Sequence, residues 1–462
     1  MGLFLPRRPA GLDPLAGLPL PQLCAMGILA GGLGAVGAIG LRELVTALNH
    51  LFYGFELEVM ASAAARLSWW WPPLVLGVGG LGVGLFVRRY LPGSRPQGVA
   101  DVIQAAASKE GRMPLRISLL TALGSTASLG LGASVGREGP VVHLAAGLVG
   151  WLPGRLGLNV AASRLLLGGA VAAAVAVSFN ATLAGTFFAL ELVVRRYAFS
   201  AFAPVAIAAS IGTLLGHVVY GDDPAFAIPP NWHITSYTEL PAFFLLGLLA
   251  ALVATLFMWS IFRVRALFVY SRLPTWTWPG VAGVILGLVA NWYPEVLGVG
   301  YEATSNVLAG EYPLEMILQI LAAKLAMTAL CVGAGFVGGV FSPAVVLGAM
   351  LGAAFGLASS LFVPFGLTDD GAYALVGMGA VAGVVLGAPV STIVMVVELT
   401  GGFAITLAVA IAAVVASVAS HQMGVMSFFQ SQVAQSEAAR KKAAQALAKE
   451  GRAPGKDDAE RA

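Results

Sequence analysis

Apolar residues run through this chain in long blocks, and glycine, proline or asparagine interrupts them far more often than charge does. The blocks fall near 25–50, 72–90, 117–135, 141–153, 165–178, 181–194, 200–220, 239–268, 277–291, 314–332, 343–363, 373–386, 388–399 and 403–420. Crossing a bilayer as a helix takes about 20 apolar residues. Some blocks reach that length and others stop short of it. Short, interrupted segments inside a membrane fold line cavities, because loose backbone is not tolerated against lipid. The pattern predicts an all-α polytopic membrane protein built from tilted, partly broken helices. It divides the chain into a cytoplasmic leader (1–24), a first transmembrane unit (25–220), an extracytoplasmic connecting loop (221–238), a second transmembrane unit (239–430) and a polar cytoplasmic tail (431–462).

Composition narrows the class. Charged residues make up 11% of the chain, against about 25% in soluble domains, and the mean hydropathy is +0.85. A soluble globular enzyme is excluded. The net charge of +3 is small, and no basic-aromatic patch marks a nucleic-acid partner. Cys24 and Cys331 stand alone, without zinc spacing or a disulfide framework. No HExxH supplies a metal-based intramembrane catalyst, and neither enzyme chemistry, metal nor cofactor is expected. The leader holds too many prolines for a cleaved signal. Arg7, Arg8, Arg88, Arg89, Arg195, Arg196, Arg263, Arg265 and Lys441 suit cytoplasmic loops and ends of an inner-membrane protein whose termini both lie inside. Glycine, with 58 residues, is nearly twice as frequent as usual. Most of these glycines read as contact points where helix backbones approach closely in lipid.

The two units resemble each other. "GREGPVVHLAAGLVG" (136–150) aligns with "GVFSPAVVLGAMLG" (339–352), Pro140 opposite Pro343. "GAVAAAVAVSFNATLAGTFFALEL" (169–192) aligns with "GAVAGVVLGAPVSTIVMVVEL" (379–399), and both copies close on Glu-Leu, at Glu191 and Glu398. Duplication of this kind marks transporter folds with a substrate site at the repeat interface. If the repeats are inverted, GREGP and GVFSP face each other. Both read as helix starts, where proline is welcome and glycine leaves N–H groups open. A helix N-terminus carries about half a positive charge and free donors. Two such ends would hold an anion softly, without a buried cation. A carboxylate at that place, Glu138, could occupy the anion site when ionised and leave it when protonated.

At these residues the chain resembles the CLC family of chloride channels and chloride/proton exchangers. "GREGP" matches the family's gating-glutamate motif, "GGVFSP" (338–343) its second filter motif, and "FNATLAG" and "GAPVSTIVMVVELTGG" follow in the expected order. The likeness spans roughly residues 25–430. It implies the CLC fold of two inverted-topology repeats, a homodimer with one pore per subunit, and chloride as substrate, with protons as a possible second one. It implies Glu138 as external gate and proton acceptor, and backbone N–H groups of Arg137, Glu138, Gly139, Val340, Phe341 and Ser342 at the anion. The family's filter serine falls on Gln97 in the ungapped register, with Ser94 as the alternative, and its filter tyrosine falls on Phe429. The internal glutamate of many exchangers falls on Leu192, which points to weakened proton coupling. Glu191 and Glu398 read as structural. Lys324 either biases the field toward anions or pairs with a carboxylate. His143, His217 and His421 read as packing or interfacial side chains. Other small anions, fluoride or nitrate, and a symporter outside this family are the competing readings.

Overall fold

Helix starts in this chain are written with proline and asparagine. Pro19 precedes a helix whose first turn contains Pro21, and proline also opens the helices starting at Trp71, Trp278 and Pro389. Proline fits there because the first-turn N–H groups have no partner inside the helix. Asn159 caps another helix by accepting from Ala162 N at 2.9 Å. The computed structural model describes residues 18–54, 60–107, 111–223, 226, 239–360, 370–401 and 403–449. Residues 1–17 of the leader, most of the 221–238 loop and residues 450–462 of the tail lie outside the described residues.

The first half contains α1 (Leu20–Tyr53), α2 (Met60–Ala64), α3 (Trp71–Tyr90), α4 (Val99–Ala107), α5 (Leu115–Gly130), α6 (Glu138–Val149), α7 (Leu152–Leu156), α8 (Val160–Phe179), α9 (Thr182–Phe188) and α10 (Phe199–Tyr220). The second contains α11 (Leu240–Tyr270), α12 (Trp278–Val289), α13 (Tyr301–Leu308), α14 (Leu314–Ala334), α15 (Phe341–Ser360), α16 (Asp370–Leu386), α17 (Pro389–Thr400), α18 (Thr406–Gln422) and α19 (Phe428–Lys449). Among the described residues seven helices are long and apolar enough to cross a membrane. Two of them, α8 and α15, are buried over most of their length and form the core. The chain enters α1 at Leu20, inside the segment read as leader, and α19 joins the end of the second unit to the polar tail as one helix.

Packing repeats between the halves. The helix α1 lies on α8 and α10, as α11 lies on α16 and α18, and α5 lies on α6 as α14 lies on α15. Glycine makes the closest crossings possible. A Cβ on Gly348 would stand 2.4 Å from Gly377 O, and one on Gly377 would stand 2.1 Å from Gly348 O. Both are shorter than any van der Waals contact, so α15 and α16 touch backbone to backbone, as expected for helices associating in lipid.

The helices α9 and α17 show that the repeats are opposed. Each begins just after a left-handed residue, Asn180 (φ 53°) or Gly387 (φ 70°), that reverses the chain. Glu398, near the end of α17, accepts from Leu183 N (2.9 Å) and Ala184 N (2.7 Å) at the start of α9. Glu191, in a π-helical turn (Ala189–Val194) that continues α9, accepts from Val390 N (3.3 Å) and Ser391 N (3.0 Å) at the start of α17. Each carboxylate caps the other repeat's helix, which requires the two helices to run in opposite directions. Carboxylates accepting backbone N–H groups at a helix start make charge-assisted bonds.

This reciprocity predicts matched losses. Glu191→Ala and Glu398→Ala should each destabilise the detergent-solubilised protein by about 1–3 kcal/mol, read as the loss of monodisperse protein after heating. Unequal effects, with one variant silent, would contradict the symmetric account.

Candidate functional site

Residues 136–140 and 338–343 meet. Gly136 N donates to Gly339 O at 2.7 Å and Gly339 N donates to Gly136 O at 2.6 Å, an isolated antiparallel bridge between the repeats. The bridge holds the first turns of α6 and α15 together. Glycine is required on both strands. A Cβ on Gly338 would fall 2.3 Å from Val135 Cγ2, and one on Gly136 would fall 2.6 Å from Glu138 Oε2.

Glu138 is 2% exposed. Its carboxylate reaches from the first turn of α6 to the first turn of α15. There Ser342 N donates to Oε2 at 3.3 Å and Ser342 Oγ donates to Oε1 through a short hydrogen bond. The negative group thus sits on the positive end of the opposing helix. Hydrogen bonds to a charged group contribute about 1.5–3 kcal/mol each, and the helix end adds about 0.3–2 kcal/mol. Those interactions offset part of the cost of burying the carboxylate. They also define where another anion could rest if the carboxylate moved out.

Cavities flank this contact. One, of about 250 Å³, is lined by Arg42, Arg137, Ser178, Tyr220, Tyr301 and Ser305 among others. Arg137 Nη2 donates to Ser178 O (2.8 Å) and to Tyr301 Oη (3.0 Å), and its guanidinium lies 5.0 Å from the Tyr301 ring centroid. Arg42 lies 3.9 Å over the Tyr220 ring. Arg137 therefore contributes a side chain to one cavity as well as a backbone position at the bridge. The second cavity, of about 290 Å³, is lined by Gln97, Gly139, Arg265, Gly339, Phe429 and Gln432 among others.

The remaining positions fall as follows. Gln97 is buried on the wall of the second cavity, and its Nε2 donates to Pro92 O (3.3 Å) and Arg95 O (3.2 Å) of its own loop. Ser94 is exposed, with Oγ 3.5 Å from Arg88 O. The α4 start beside them is closed: Asp101 accepts from Gly98 N at 2.8 Å and pairs with Arg95 at 2.5 Å. Phe429 is buried edge-on against Phe428. Val340 is buried at the entry to α15, and the Phe341 ring packs on Phe179 and Phe188.

Lys324 pairs with no carboxylate among the described residues. It is fully buried, and Nζ donates to the carbonyls of Glu295, Val296, Leu297 and Gly298 at 3.0–3.3 Å. Its charge closes a turn of main chain next to Tyr301. Tyr301, Arg42 and Tyr220 were not found by sequence reasoning. The Gly-Val-Gly ahead of Tyr301 was the available signal, since Gly300 takes a left-handed conformation (φ 88°) under the Lys324 side chain.

The family described as voltage gated chloride channel matches residues 79–421. A ClcB-like chloride channel protein of Ralstonia nicotianae is 31% identical over 412 residues, covering 88% of this chain and 95% of its own. The H(+)/Cl(-) exchange transporter ClcA of Cronobacter sakazakii is 28% identical over 357 residues, covering 74% and 75%. The crystal structure of a slow cyanobacterial Cl⁻/H⁺ antiporter superposes with a TM-score of 0.80 at 21% identity, over 91% of this chain and 99% of that one. A CLC-type fluoride/proton antiporter superposes with a TM-score of 0.72 at 22% identity, over 86% and 95%.

If the cavities open to opposite sides of the membrane, thiols placed on their walls must differ in access. With Cys24 replaced by Ser, Ser305→Cys and Gln432→Cys should react with a membrane-impermeant maleimide from opposite faces of sealed vesicles. Labelling of both from the same face would refute the two-cavity arrangement.

Proposed function

The chain belongs to the voltage gated chloride channel family, and on that premise we propose that it passes chloride across the membrane through a pore in each subunit of a homodimer, gated by Glu138. The observation that carries this reading is the Glu138 carboxylate lying on Ser342 at the start of α15, between the two cavities. Ionised Glu138 occupies the position an anion would take. Protonated, it loses most of the attraction that keeps it there and swings clear. Chloride then meets the same N–H and O–H donors and the same two helix ends, with no lysine or arginine ammonium at the resting place. Dipoles hold a halide without trapping it, which a conducting site requires.

The first cavity is lined by charges of both signs, Arg42 and Arg137 with Asp223 and Glu302. Arg265 lines the second cavity. The protein works in the inner membrane with both termini in the cytoplasm.

Protons are the finer question between channel and chloride/proton antiporter. Glu138 supplies an external acceptor. Leu192, buried in the π-helical turn after α9, occupies the place where exchangers of this family carry an internal glutamate. An apolar side chain there relays no proton, so coupling is weak. The fluoride/proton antiporter shares the fold, so fold alone does not choose between halides. Chloride is the reading favoured by the names of the more similar relatives.

Two outcomes test this. Chloride efflux from proteoliposomes should rise as pH falls through the protonation of Glu138, and Glu138→Gln should make it pH-independent and abolish proton movement. An unchanged pH response in that variant rejects the gate. Gln97→Ala should change the chloride-to-nitrate flux ratio more than Ser94→Ala, and the reverse order would move the filter position to Ser94.

A further inference from the structure

We propose that the seam between α5 and α6 is a hydrated proton route from Glu138 toward the far end of α6, with His143 as its protonatable station. The proposal rests on the reading of Glu138 as proton acceptor.

The register of the two helices is fixed at one end. Met113 N donates to Gly150 O at 3.3 Å, and a Cβ on Gly147 would stand 2.1 Å from Ser118 Oγ. The helices run antiparallel. One turn back along α6 from Gly147 is His143. The matching steps along α5 are Thr121 and Ser125, and the next, Ser128, falls near the end of α5. Ser128 Oγ in turn accepts from Val337 N at 2.9 Å, just before Gly338. A row of side chains at helical spacing therefore leads from the filter to Ser118, ten residues or about 15 Å along α5.

All of these side chains are polar and buried. Ser118, Thr121, Ser125 and Ser128 are 0% exposed and His143 is 2% exposed. Among the described residues Thr121 Oγ1, Ser125 Oγ and His143 Nδ1 have no hydrogen-bond partner. On the same helix, Thr126 and Ser128 donate to the carbonyls of Ala122 and Gly124, four residues back. Thr121 and Ser125 make no such bond. An orphaned buried polar atom costs about 1–3 kcal/mol, and three of them on facing helices define a place that ordered water satisfies. Packing alone would be served better by alanine or valine.

The charges acting on His143 from the α4 side are Asp101 and Arg95, which pair with each other. Where α1 packs on α6, Gly37 faces Leu144 and Leu148. A neutral imidazole accepts one proton from water at one ring nitrogen and releases one from the other, so the ring returns to neutrality after each passage. The hydroxyls orient the waters between stations. This route bypasses Leu192 and explains how a chain lacking an acid there could still move protons slowly.

The test uses the full chain in proteoliposomes, with chloride and pH electrodes recording together under a chloride gradient. Wild type should drive proton movement. His143→Gln, and separately the Thr121→Val/Ser125→Ala pair, should lower the proton-to-chloride ratio by at least about tenfold, with chloride flux kept within about twofold. A purely structural role would lower both fluxes in parallel and leave the ratio unchanged, which overturns the proposal. Absence of proton movement in wild type also overturns it, while leaving the chloride reading intact. If Glu138→Gln keeps the pH response, it is the gate assignment that falls instead.

Discussion

The structure depends on two backbone hydrogen bonds between Gly136 and Gly339. They join the repeats where the starts of α6 and α15 face each other at close range. Everything near them follows from that closeness. Side chains are excluded on steric grounds, so glycine stands at 136, 338 and 339. Ser342 N then reaches the Glu138 carboxylate across the junction. A negative group is needed there to balance the two positive helix ends, and Glu138 supplies it from one repeat while Ser342 receives it from the other. Without the bridge, Glu138 would be a buried carboxylate with no partner, a state costing far more than one hydrogen bond can offset.

Buried cations are kept from this space by being bound elsewhere. Lys324 closes a turn of four carbonyls, Arg95 pairs with Asp101, and Arg137 directs Nη2 at Ser178 O and the Tyr301 hydroxyl. Each of these side chains is held by rigid local structure. The potential at the bridge is therefore set by peptide dipoles, whose strength is a fraction of a full charge. That difference matters for a site that must release what it binds, because a full ammonium at the same depth would hold a halide several kcal/mol more tightly.

The frame was readable from the sequence because its grammar is local. Proline and glycine at helix starts, paired blocks in the same order and a common Glu-Leu ending all survive in the linear chain. The opposition of GREGP and GVFSP followed from the duplication together with the assumption of inversion. What could not be read was the partner of each polar group. Glu191 and Glu398 were recognisable as mates by alignment, yet each caps the other's helix, and no one-dimensional pattern distinguishes that crossing from self-capping. Lys324 looked like a charge seeking a carboxylate. Its partners are carbonyls 26–29 residues away, and carbonyls carry no residue-type signal. The proline-rich entry to α1 read as leader, although proline in a first turn is equally a helix start.

Chemistry is found where the repeats differ. Aligned on Pro140 and Pro343, Glu138 stands opposite Phe341, and Gly139 opposite Ser342. The first copy thus provides the carboxylate and the second the hydroxyl that donates to it. The same contrast holds for the supporting helices. In the first repeat α5 carries the buried hydroxyls Ser118, Thr121, Ser125 and Ser128 against α6, whereas α14, which supports α15, buries Lys324 in a carbonyl turn and is otherwise mainly apolar toward the core. Elements that are alike in both copies, such as the glycine crossings and the Glu191 and Glu398 caps, hold the frame. A perfectly symmetric pair would present two identical helix ends. One carboxylate placed in one copy, lying on the opposing helix start, breaks that equivalence.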